Sequence, residues 1–172
     1  MSTSKHRILV ALVENKTGVL NRVSSLFRRR KFNIRSLTVG ETEREGISRM
    51  TIVVDSAKTN VDQVIKQMYK IINVLKVSDI TNDHCVKREL ALIKVFAKKE
   101  SRAEIMQIVD IFRAKIVDVA AESLMIETTG NTKKIDSLLG LVRKFGIKEM
   151  VRTGITAMNR GVSGEVKLRK KD

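Results

Sequence analysis

The first hydrophobic segments of the chain differ in period. Residues 5–13, KHRILVALV, form a short and almost wholly apolar run, which is typical of a central strand covered on both faces. From Gly18 the apolar residues recur at helical spacing, which predicts a helix that ends near Lys31, with Asn33 as the residue that stops it. The apolar face of this predicted helix consists of Val19, Leu20, Val23, Leu26 and Phe27.

Two β-type runs and a second helical pattern follow. Residues 34–40 and 48–55 are joined by the polar loop ETEREGI, and together they predict a hairpin. A helix is expected next, with Thr59 or Asn60 as its N-cap. Its apolar face consists of Val61, Val64, Ile65, Met68, Ile71 and Ile72. Residues 74–80 are typical of a strand, so the predicted order of elements is βαββαβ.

The same order is predicted a second time. A strand at 88–97 precedes Ser101-Arg102-Ala103-Glu104, a capping-box pattern in which the serine oxygen and the glutamate satisfy free N–H groups at the start of a helix. The remaining predicted elements are strands at 115–121 and 123–130, a helix with apolar residues from Ile135 to Phe145 that ends at Gly146, and a closing strand over residues 147–158.

Two βαββαβ units in tandem predict an α+β fold of the ferredoxin-like type. Right-handed crossovers make each unit a four-stranded antiparallel sheet with two helices on one face. The predicted boundaries are residues 4–80 for the first unit, 81–87 for a polar linker, 88–158 for the second unit and 159–172 for a basic, disordered tail. Because the other face of each sheet is left bare, we expect the units to pair with each other or with another chain.

Composition is typical of a soluble globular protein. The 172 residues are 42% hydrophobic and 31% charged, enough apolar material for one ordinary domain or two small ones. No apolar run approaches the roughly 18 residues of a membrane-spanning helix, and the N-terminus lacks a signal-peptide pattern, so we expect a cytoplasmic protein. The one cysteine, Cys85, cannot form an internal disulfide, and with the adjacent His84 it supplies too few ligands for a metal.

The net charge of +15 raises the question of nucleic-acid binding. The charge is spread along the chain, with two dense runs at residues 28–31 and 167–171. The first run lies at the end of a predicted helix, where cations oppose the negative end of the helix dipole. Aromatic residues make up 3% of the chain and do not form a base-stacking platform. Charge alone allows only weak, salt-sensitive binding to polyanions.

Catalysis requires a converging set of groups, which the sequence does not offer. There are two histidines, and the carboxylates occur singly, without HExxH, DxD or GxSxG spacing. We therefore expect a chain that is not an enzyme by itself and that binds no metal.

The segment ENKTGVLNRV, residues 14–23, joins the first predicted strand to the first predicted helix. A nucleotide-binding loop needs several glycines and a lysine followed by Ser or Thr, whereas this loop has only Gly18. One glycine can leave one or two backbone N–H groups free at a helix start, which suits a single carboxylate, and Asn15 can add a hydrogen bond. Alternatively, Thr17 or Asn15 merely caps the helix and Gly18 relieves a tight turn.

These residues resemble a known family. A βαββαβ unit with an Asn-x-x-Gly-Val-Leu turn after its first strand resembles the ACT domain, a module that senses amino acids in biosynthetic enzymes. The longer run ENKTGVLNRVSSLFRRRKFNIRSLTVG, followed by SRMTIVV, is similar to the small regulatory subunits of acetolactate synthase (acetohydroxyacid synthase). The resemblance covers residues 5–158, including FRAKIVDV in the second unit.

The resemblance implies a regulatory chain without catalytic residues. It implies a homodimer formed through ACT domains and a large catalytic subunit as partner, with thiamine diphosphate, Mg and FAD on that subunit and no cofactor on this chain. The small subunit would activate the catalytic subunit and make it sensitive to valine, with leucine or isoleucine as alternatives. An ACT-type sensor attached to another enzyme or regulator, or a basic nucleic-acid-binding protein, are the alternative functions.

The resemblance also implies an effector site between two paired ACT domains. The turn of one chain would contribute Asn15, Gly18, Val19 and Leu20, and the second strand of its neighbour would contribute Asn33 and Ile34. In this arrangement the amide of Gly18 binds the carboxylate of valine, the two asparagines hold its ammonium and carboxylate, and Leu20 and Ile34 border its isopropyl group. The second unit has neither the glycine nor the asparagine in its loop AKKESRAE, so no site is expected there.

Overall fold

The chain contains two compact units. A computed structural model describes residues 6–55 and 60–161. One unit comprises Met1–Val86 together with Ile155–Asp172, and the other comprises Lys87–Gly154. The expected boundary at residue 158 therefore differs from the observed grouping, in which the segment after Gly154 belongs with the first unit.

The first unit has the predicted order βαββαβ. Its elements are β1 (His6–Glu14), α1 (Val19–Arg29), β2 (Ile34–Glu41), β3 (Ile47–Asp55), α2 (Val61–Met68) and β4 (Val74–Asp79). The strands form one antiparallel sheet in the order β2-β3-β1-β4. Apolar side chains from one face of the sheet and from both helices form its main core, with Leu9, Val23, Phe27, Ile52, Val64 and Met68 at the centre.

The second unit repeats this plan. Its elements are β5 (Cys85–Phe96), α3 (Arg102–Ile111), β6 (Lys115–Ala120), β7 (Ser123–Gly130), α4 (Thr132–Val142), a 3-10 turn (Arg143–Phe145) and β8 (Ile147–Arg152). The strand order is β6-β7-β5-β8, and a short strand β9 (Thr156–Asn159) also pairs with β5. Since β5 begins at Cys85, the linker is shorter than predicted. The tandem ferredoxin-like fold predicted from the sequence is confirmed.

The end of α1 explains why the chain turns sharply into β2. Lys31 adopts a left-handed conformation with φ 56°, and the amide of Phe32 donates to the carbonyl of Phe27 over 3.0 Å. The rings of Phe27 and Phe32 meet edge to face at 6.0 Å. This combination is a Schellman motif with its hydrophobic contact. Lys31, and not Asn33 as predicted, is therefore the residue that ends the helix.

The same backbone devices recur in the second unit. Arg113 follows α3 with φ 48°, and the amide of Ala114 donates to the carbonyl of Val109 over 2.9 Å. Both β2 and β6 carry a bulge directly after their first isoleucine, at Ile34 and at Ile116. A bulge bends the strand and increases its twist. The internal repeat thus extends from the order of elements to single backbone conformations.

Two predicted helix caps have different outcomes. Asn60 caps α2, because its side-chain oxygen accepts the amide of Gln63 at 3.3 Å, while the alternative cap Thr59 lies outside the described residues. The capping box predicted at Ser101 does not form. Its hydroxyl donates to the carbonyl of Lys98, and Glu104 pairs with Lys144.

The predicted closing strand is two strands, β8 and β9, which both pair with β5. β8 ends at Arg152, and the chain resumes as β9 after Gly154, which has φ 85°. Asn159 and Arg160, expected to begin a disordered tail, are ordered, because the amide of Arg160 donates to the carbonyl of His84 over 2.9 Å. Residues 162–172, the rest of that tail, lie outside the described residues.

The segment around β9 covers part of the sheet face that was expected to be bare in the first unit. Ala157 is 1% exposed in a small apolar cluster with Ile8, Val10, Val53 and Ile80. Thr38 Oγ1 donates to the carbonyl of Ile155 over 3.1 Å, and Arg49 Nη2 donates to that of Ala157 over 2.9 Å. Burial lowers the pKa of the Arg49 guanidinium, an effect partly offset by the charge of Glu43.

Replacing Ala157 with aspartate should destabilise the first unit, because it places a carboxylate in this apolar cluster. We expect the free energy of unfolding to fall by about 2–4 kcal/mol in urea denaturation. The matched control is Met158→Asp, the same new charge on the adjacent residue of β9, which is 64% exposed. Equal losses in the two variants would contradict the covering role of Ala157.

Acid sensitivity should arise in part from Asp79. Burial alone would raise the pKa of this carboxyl, but hydrogen bonds from Arg7 and Thr81 outweigh it and the pKa is lowered. Because its pKa is lowered in the folded state, the ionised carboxylate stabilises the fold at pH values above the unfolded pKa of about 4. This stabilisation is lost as the pH falls from there through the lowered folded pKa. Asp79→Asn should therefore cost about 1 kcal/mol at neutral pH and progressively less below about pH 4.

The control for this measurement is Glu43→Gln, since Glu43 is 83% exposed and its interactions with Arg44 at 3.7 Å and with Arg49 are screened by solvent. Its effect on the free energy of unfolding should stay close to zero at every pH. A pH-independent cost of Asp79→Asn would show that the carboxylate charge contributes nothing.

Candidate functional site

The turn between β1 and α1 depends on the backbone conformation of Gly18. This residue has φ 83° and ψ −5°, in the left-handed region that side chains disfavour. A Cβ added there would meet no atom within 4 Å, so the conformation, and not a lack of space, requires glycine. The amide of Asn15 donates to the carbonyl of Gly46 over 2.7 Å and ties the turn to the β2–β3 hairpin.

The first turn of α1 presents free backbone donors. The amide of Val19 donates to the carbonyl of Lys16 at 3.3 Å, but the described residues provide no acceptor for the amides of Gly18, Leu20 and Asn21. No side chain caps this helix. The alternative explanation, in which Thr17 or Asn15 caps it, is therefore wrong. Exposed N–H groups at the positive end of a helix form a site suited to an anion.

The side chain of Asn15 does not cap α1 and binds the end of β2 instead. Its side-chain nitrogen donates to Glu41 Oε1 over 2.8 Å at the end of β2. This contact places a carboxylate beside the turn, so the surface there offers both free N–H donors and one negative charge. An amino acid carries the complementary pair of groups, a carboxylate and an ammonium.

A buried polar network fixes the base of the turn. Asn73, which is 7% exposed, accepts from Arg22 Nη1 at 2.7 Å and donates to Glu14 Oε2 at 2.7 Å. The amide of Glu14 in turn donates to the carbonyl of Asn73 over 2.9 Å. These three residues join the ends of β1, α1 and the segment before β4. No local pattern indicates this network, because Asn73 is far along the chain from Glu14 and Arg22 and the three residues follow no period.

The apolar residues of the predicted site differ in exposure. Leu20 is 45% exposed beside the turn and is free to contact a ligand. Val19 is 3% exposed and packs in the main core, so its side chain cannot line a surface site. Val19 is therefore a core residue, as its place on the predicted apolar face of the helix indicates.

Asn33 and Ile34 lie at the opposite end of the same sheet. Ile34 pairs with Val54 of β3, next to the beginning of β1, whereas the Gly18 turn follows the end of β1. The nine residues of β1 separate the two ends by roughly 25 Å, at about 3.3 Å per residue. One copy of the chain therefore does not bring the predicted site residues together.

The strand that carries Ile34 is an edge strand. Among the strands of residues 6–55 and 60–161, β2 stands at one end of the order β2-β3-β1-β4 and pairs only with β3. Its other side leaves backbone N–H and C=O groups available to a further strand. Val39 in this strand is 46% exposed, which is consistent with a surface that another chain can cover.

The second unit lacks an equivalent of the open turn. Ser101 at the start of α3 has φ −94°, so no left-handed residue begins the helix. The guanidinium of Arg102 fills the corresponding space and donates to the carbonyls of Ala97 at 3.3 Å and Ala121 at 2.7 Å, and also to that of Ala120. The loop AKKESRAE, which lacks the glycine and the asparagine of the first unit, is therefore closed by the side chain of Arg102.

Residues 6–55 and 60–161 contain neither a metal-binding cluster nor a membrane-spanning helix. In that part of the chain no three His, Cys, Asp or Glu side chains are grouped closely enough to hold a metal ion. None of the helices there has the length and apolar content needed to cross a membrane.

Comparison with known proteins gives a consistent result over both units. Residues 9–76 match the model of the acetohydroxyacid synthase small subunit-like ACT domain, and residues 88–161 match that of the small subunit of acetolactate synthase. A probable acetolactate synthase small subunit of Archaeoglobus fulgidus is 57% identical, with 91% of this chain and 98% of that protein covered. The acetolactate synthase small subunit of Bacillus subtilis is 49% identical, with 90% and 91% covered.

A solved structure agrees with the sequence matches. The crystal structure of the acetolactate synthase small subunit from Thermotoga maritima superimposes with a TM-score of 0.84 at 43% identity, covering 92% of this chain and 99% of that one. The resemblance noted from the ENKTGVL turn and the SRMT strand is thereby confirmed.

The polar network at the base of the turn should be sensitive to a single donor. Asn73→Asp replaces the amide that donates to Glu14 with a second carboxylate oxygen, and we expect the free energy of unfolding to fall by about 1–3 kcal/mol at neutral pH. Asn60→Asp is the matched control, because aspartate is as good an N-cap as asparagine. A cost at residue 73 no larger than at residue 60 would rule out the network as a support of the turn.

Proposed function

The chain belongs to the family of acetolactate synthase small subunits, and we propose that it is a non-catalytic regulatory subunit that activates the catalytic subunit and transmits feedback inhibition by valine. The catalytic subunit would carry thiamine diphosphate, Mg and FAD, and the complex would act in the cytoplasm in branched-chain amino acid synthesis. The observation that carries this proposal is the Gly18 turn, whose free amides and adjacent Glu41 match the two charged groups of an amino acid.

A second copy of the chain would complete the site. If the free edges of two β2 strands pair antiparallel about a two-fold axis, the first residues of one strand lie beside the last residues of the other. The last residue, Glu41, is held by Asn15 next to the Gly18 turn. Asn33 and Ile34 of one copy would therefore lie next to the turn of the other. Because the two half-sites are far apart within one chain, a complete site would require a dimer.

Each group of valine then has a chemical partner. The amides of Gly18 and Leu20 would bind the carboxylate at the positive end of α1, an interaction worth about 0.3–2 kcal/mol from the helix dipole. Glu41 and Asn15 beside the turn, together with Asn33 of the second copy, would surround the ammonium. The isopropyl group would lie between Leu20 and Ile34, where leucine or isoleucine would have to displace one of these side chains.

A site shared between two copies can control an attached enzyme. Valine would bind one arrangement of the pair more tightly than another, and a difference of about 1–3 kcal/mol changes activity about 5- to 150-fold. Moving one copy along the other would open or close the pocket without a change inside either unit.

Two substitutions of Gly18 separate charge from backbone strain. Asparagine and aspartate are the same size and both tolerate positive φ, but only Gly18→Asp places a carboxylate where the ligand carboxylate would bind. In titration calorimetry we expect Gly18→Asn to keep valine affinity within about threefold and Gly18→Asp to weaken it by at least tenfold, about 1.4 kcal/mol.

Both variants would also be reconstituted with the catalytic subunit of the same organism. The complex with Gly18→Asp should still be activated but should resist valine, while that with Gly18→Asn should resemble the unaltered chain. Undiminished valine affinity in Gly18→Asp would remove the turn from the site. A lack of any activation by the unaltered chain would overturn the regulatory function itself.

A further inference from the structure

A cleft in the first unit lies apart from the Gly18 turn, between α1 and the end of α2. It has a volume of about 390 Å³ and is lined by Leu26, Arg29, Arg30, Gln67, Lys70 and Ile71. Arg30 Nη2 donates to Gln67 Oε1 across it at 3.2 Å. Leu26 and Ile71 contribute apolar surface to the cleft, and the three cations surround it. We call this the α1–α2 cleft.

The charge around the α1–α2 cleft is not neutralised. Residues 28–31 are four consecutive exposed cations, and Lys66 in α2 and Lys70 just after its end are also exposed. Among the described residues, none of these six side chains has a carboxylate within 4.0 Å. Six like charges on two adjacent helix ends repel one another, which favours the binding of an anionic group.

Helix capping does not account for this concentration of charge. α3 ends through the same hydrogen bonds as α1, with Arg113 as the left-handed residue in the position of Lys31, yet it has no basic residue in its last turn. Ile111 lies two residues before the left-handed Arg113, where α1 has Arg29 two residues before Lys31. The internal repeat is therefore a built-in control, and it shows that the fold needs one left-handed residue there but not four cations.

Neither this chain nor a second copy supplies a suitable anion. The segments outside the described residues are MSTSK, SAKT and VSGEVKLRKKD, of which the last contains two acidic and four basic residues. A second copy already has a proposed place at the free edge of β2, and its net charge of +15 makes it a poor source of an acidic segment. The occupant must therefore be a different molecule.

The apolar surface of the cleft favours a protein segment over a small anion. Ile71, which lines it, is half-buried, and the next residue, Ile72, is 70% exposed, whereas Leu26 is only 6% exposed. An amphipathic segment presents carboxylates to the arginines and apolar side chains to these residues at the same time. Inorganic phosphate or a free polyphosphate would use only the cations.

We propose that the α1–α2 cleft is the docking surface for an acidic, amphipathic segment of the catalytic subunit. This inference rests on the proposed function, because it takes the catalytic subunit as the partner. Arginine is suited to the task, since its planar guanidinium can bind a carboxylate through two parallel hydrogen bonds.

The test compares two charge reversals of equal size. Arg29→Glu with Arg30→Glu alters the cleft, and Lys98→Glu with Lys99→Glu alters two adjacent exposed cations in the second unit. Affinity for the purified catalytic subunit would be measured by biolayer interferometry at about 0.05 and about 0.3 M salt. We expect the cleft variant to raise Kd at least tenfold and to lose most of the salt dependence, and the control to change Kd less than threefold.

Valine binding by calorimetry should be unchanged in both variants, which separates docking from effector binding. The neutral pair Arg29→Gln with Arg30→Gln guards against misfolding by the reversed charges and should give an intermediate loss. Unchanged affinity in the cleft variants, an equal loss in the control, or displacement of the catalytic subunit by inorganic phosphate or ATP at micromolar concentration would each overturn the proposal. If the unaltered chain binds no catalytic subunit at all, the proposed function fails as well.

Discussion

The positive φ of Gly18 determines where α1 begins and which backbone amides face solvent. A residue with a side chain at this position would favour a right-handed or extended backbone, so the helix would start elsewhere or gain a side-chain cap. Leaving the first turn uncapped costs stability, which the hydrogen bonds around the turn offset. Asn73 joins Glu14 to Arg22, and Asn15 joins the turn to the hairpin. The turn is thus rigid where it is supported and open where its donors face outward.

The second unit shows what the same fold does without this constraint. Its sheet order, its bulge and its left-handed residue after the first helix all match those of the first unit. Where the first unit has an open glycine turn, the second has Arg102 bonded to carbonyl groups of its own unit. Duplication of a βαββαβ unit therefore does not duplicate the open turn. The two units differ at a few loop and helix-end positions, while their cores keep the common plan.

Much of this organisation was predictable from the sequence, because hydrophobic periodicity follows directly from which face of each element is buried. The order of elements, the glycine at the turn and its absence from the repeat all have local signals. The failures concern conformations that depend on distant contacts. A lysine at a left-handed position is unusual, and it is stabilised here by the Phe27–Phe32 contact. Gly154 is a local breaker inside the predicted last strand, but the pairing of β9 is a long-range event. Neither Asn73 nor Glu41 has a sequence pattern, since each acts through partners far along the chain.

The helix α1 connects the two proposed contacts of the first unit. Its N-terminal amides lie at the effector turn, and its last residues line the α1–α2 cleft, with eleven residues or roughly 16 Å between them at about 1.5 Å per residue. Its buried face, formed by Val19, Val23, Leu26 and Phe27, packs on the sheet over this whole length. A well-packed helix of this kind moves as a unit and does not deform gradually. A ligand that shifts its N-terminus would therefore also shift the cations at its C-terminus. In this arrangement, the proposed effector binding and the proposed docking of the catalytic subunit would be coupled through one rigid element, without a path through the second unit.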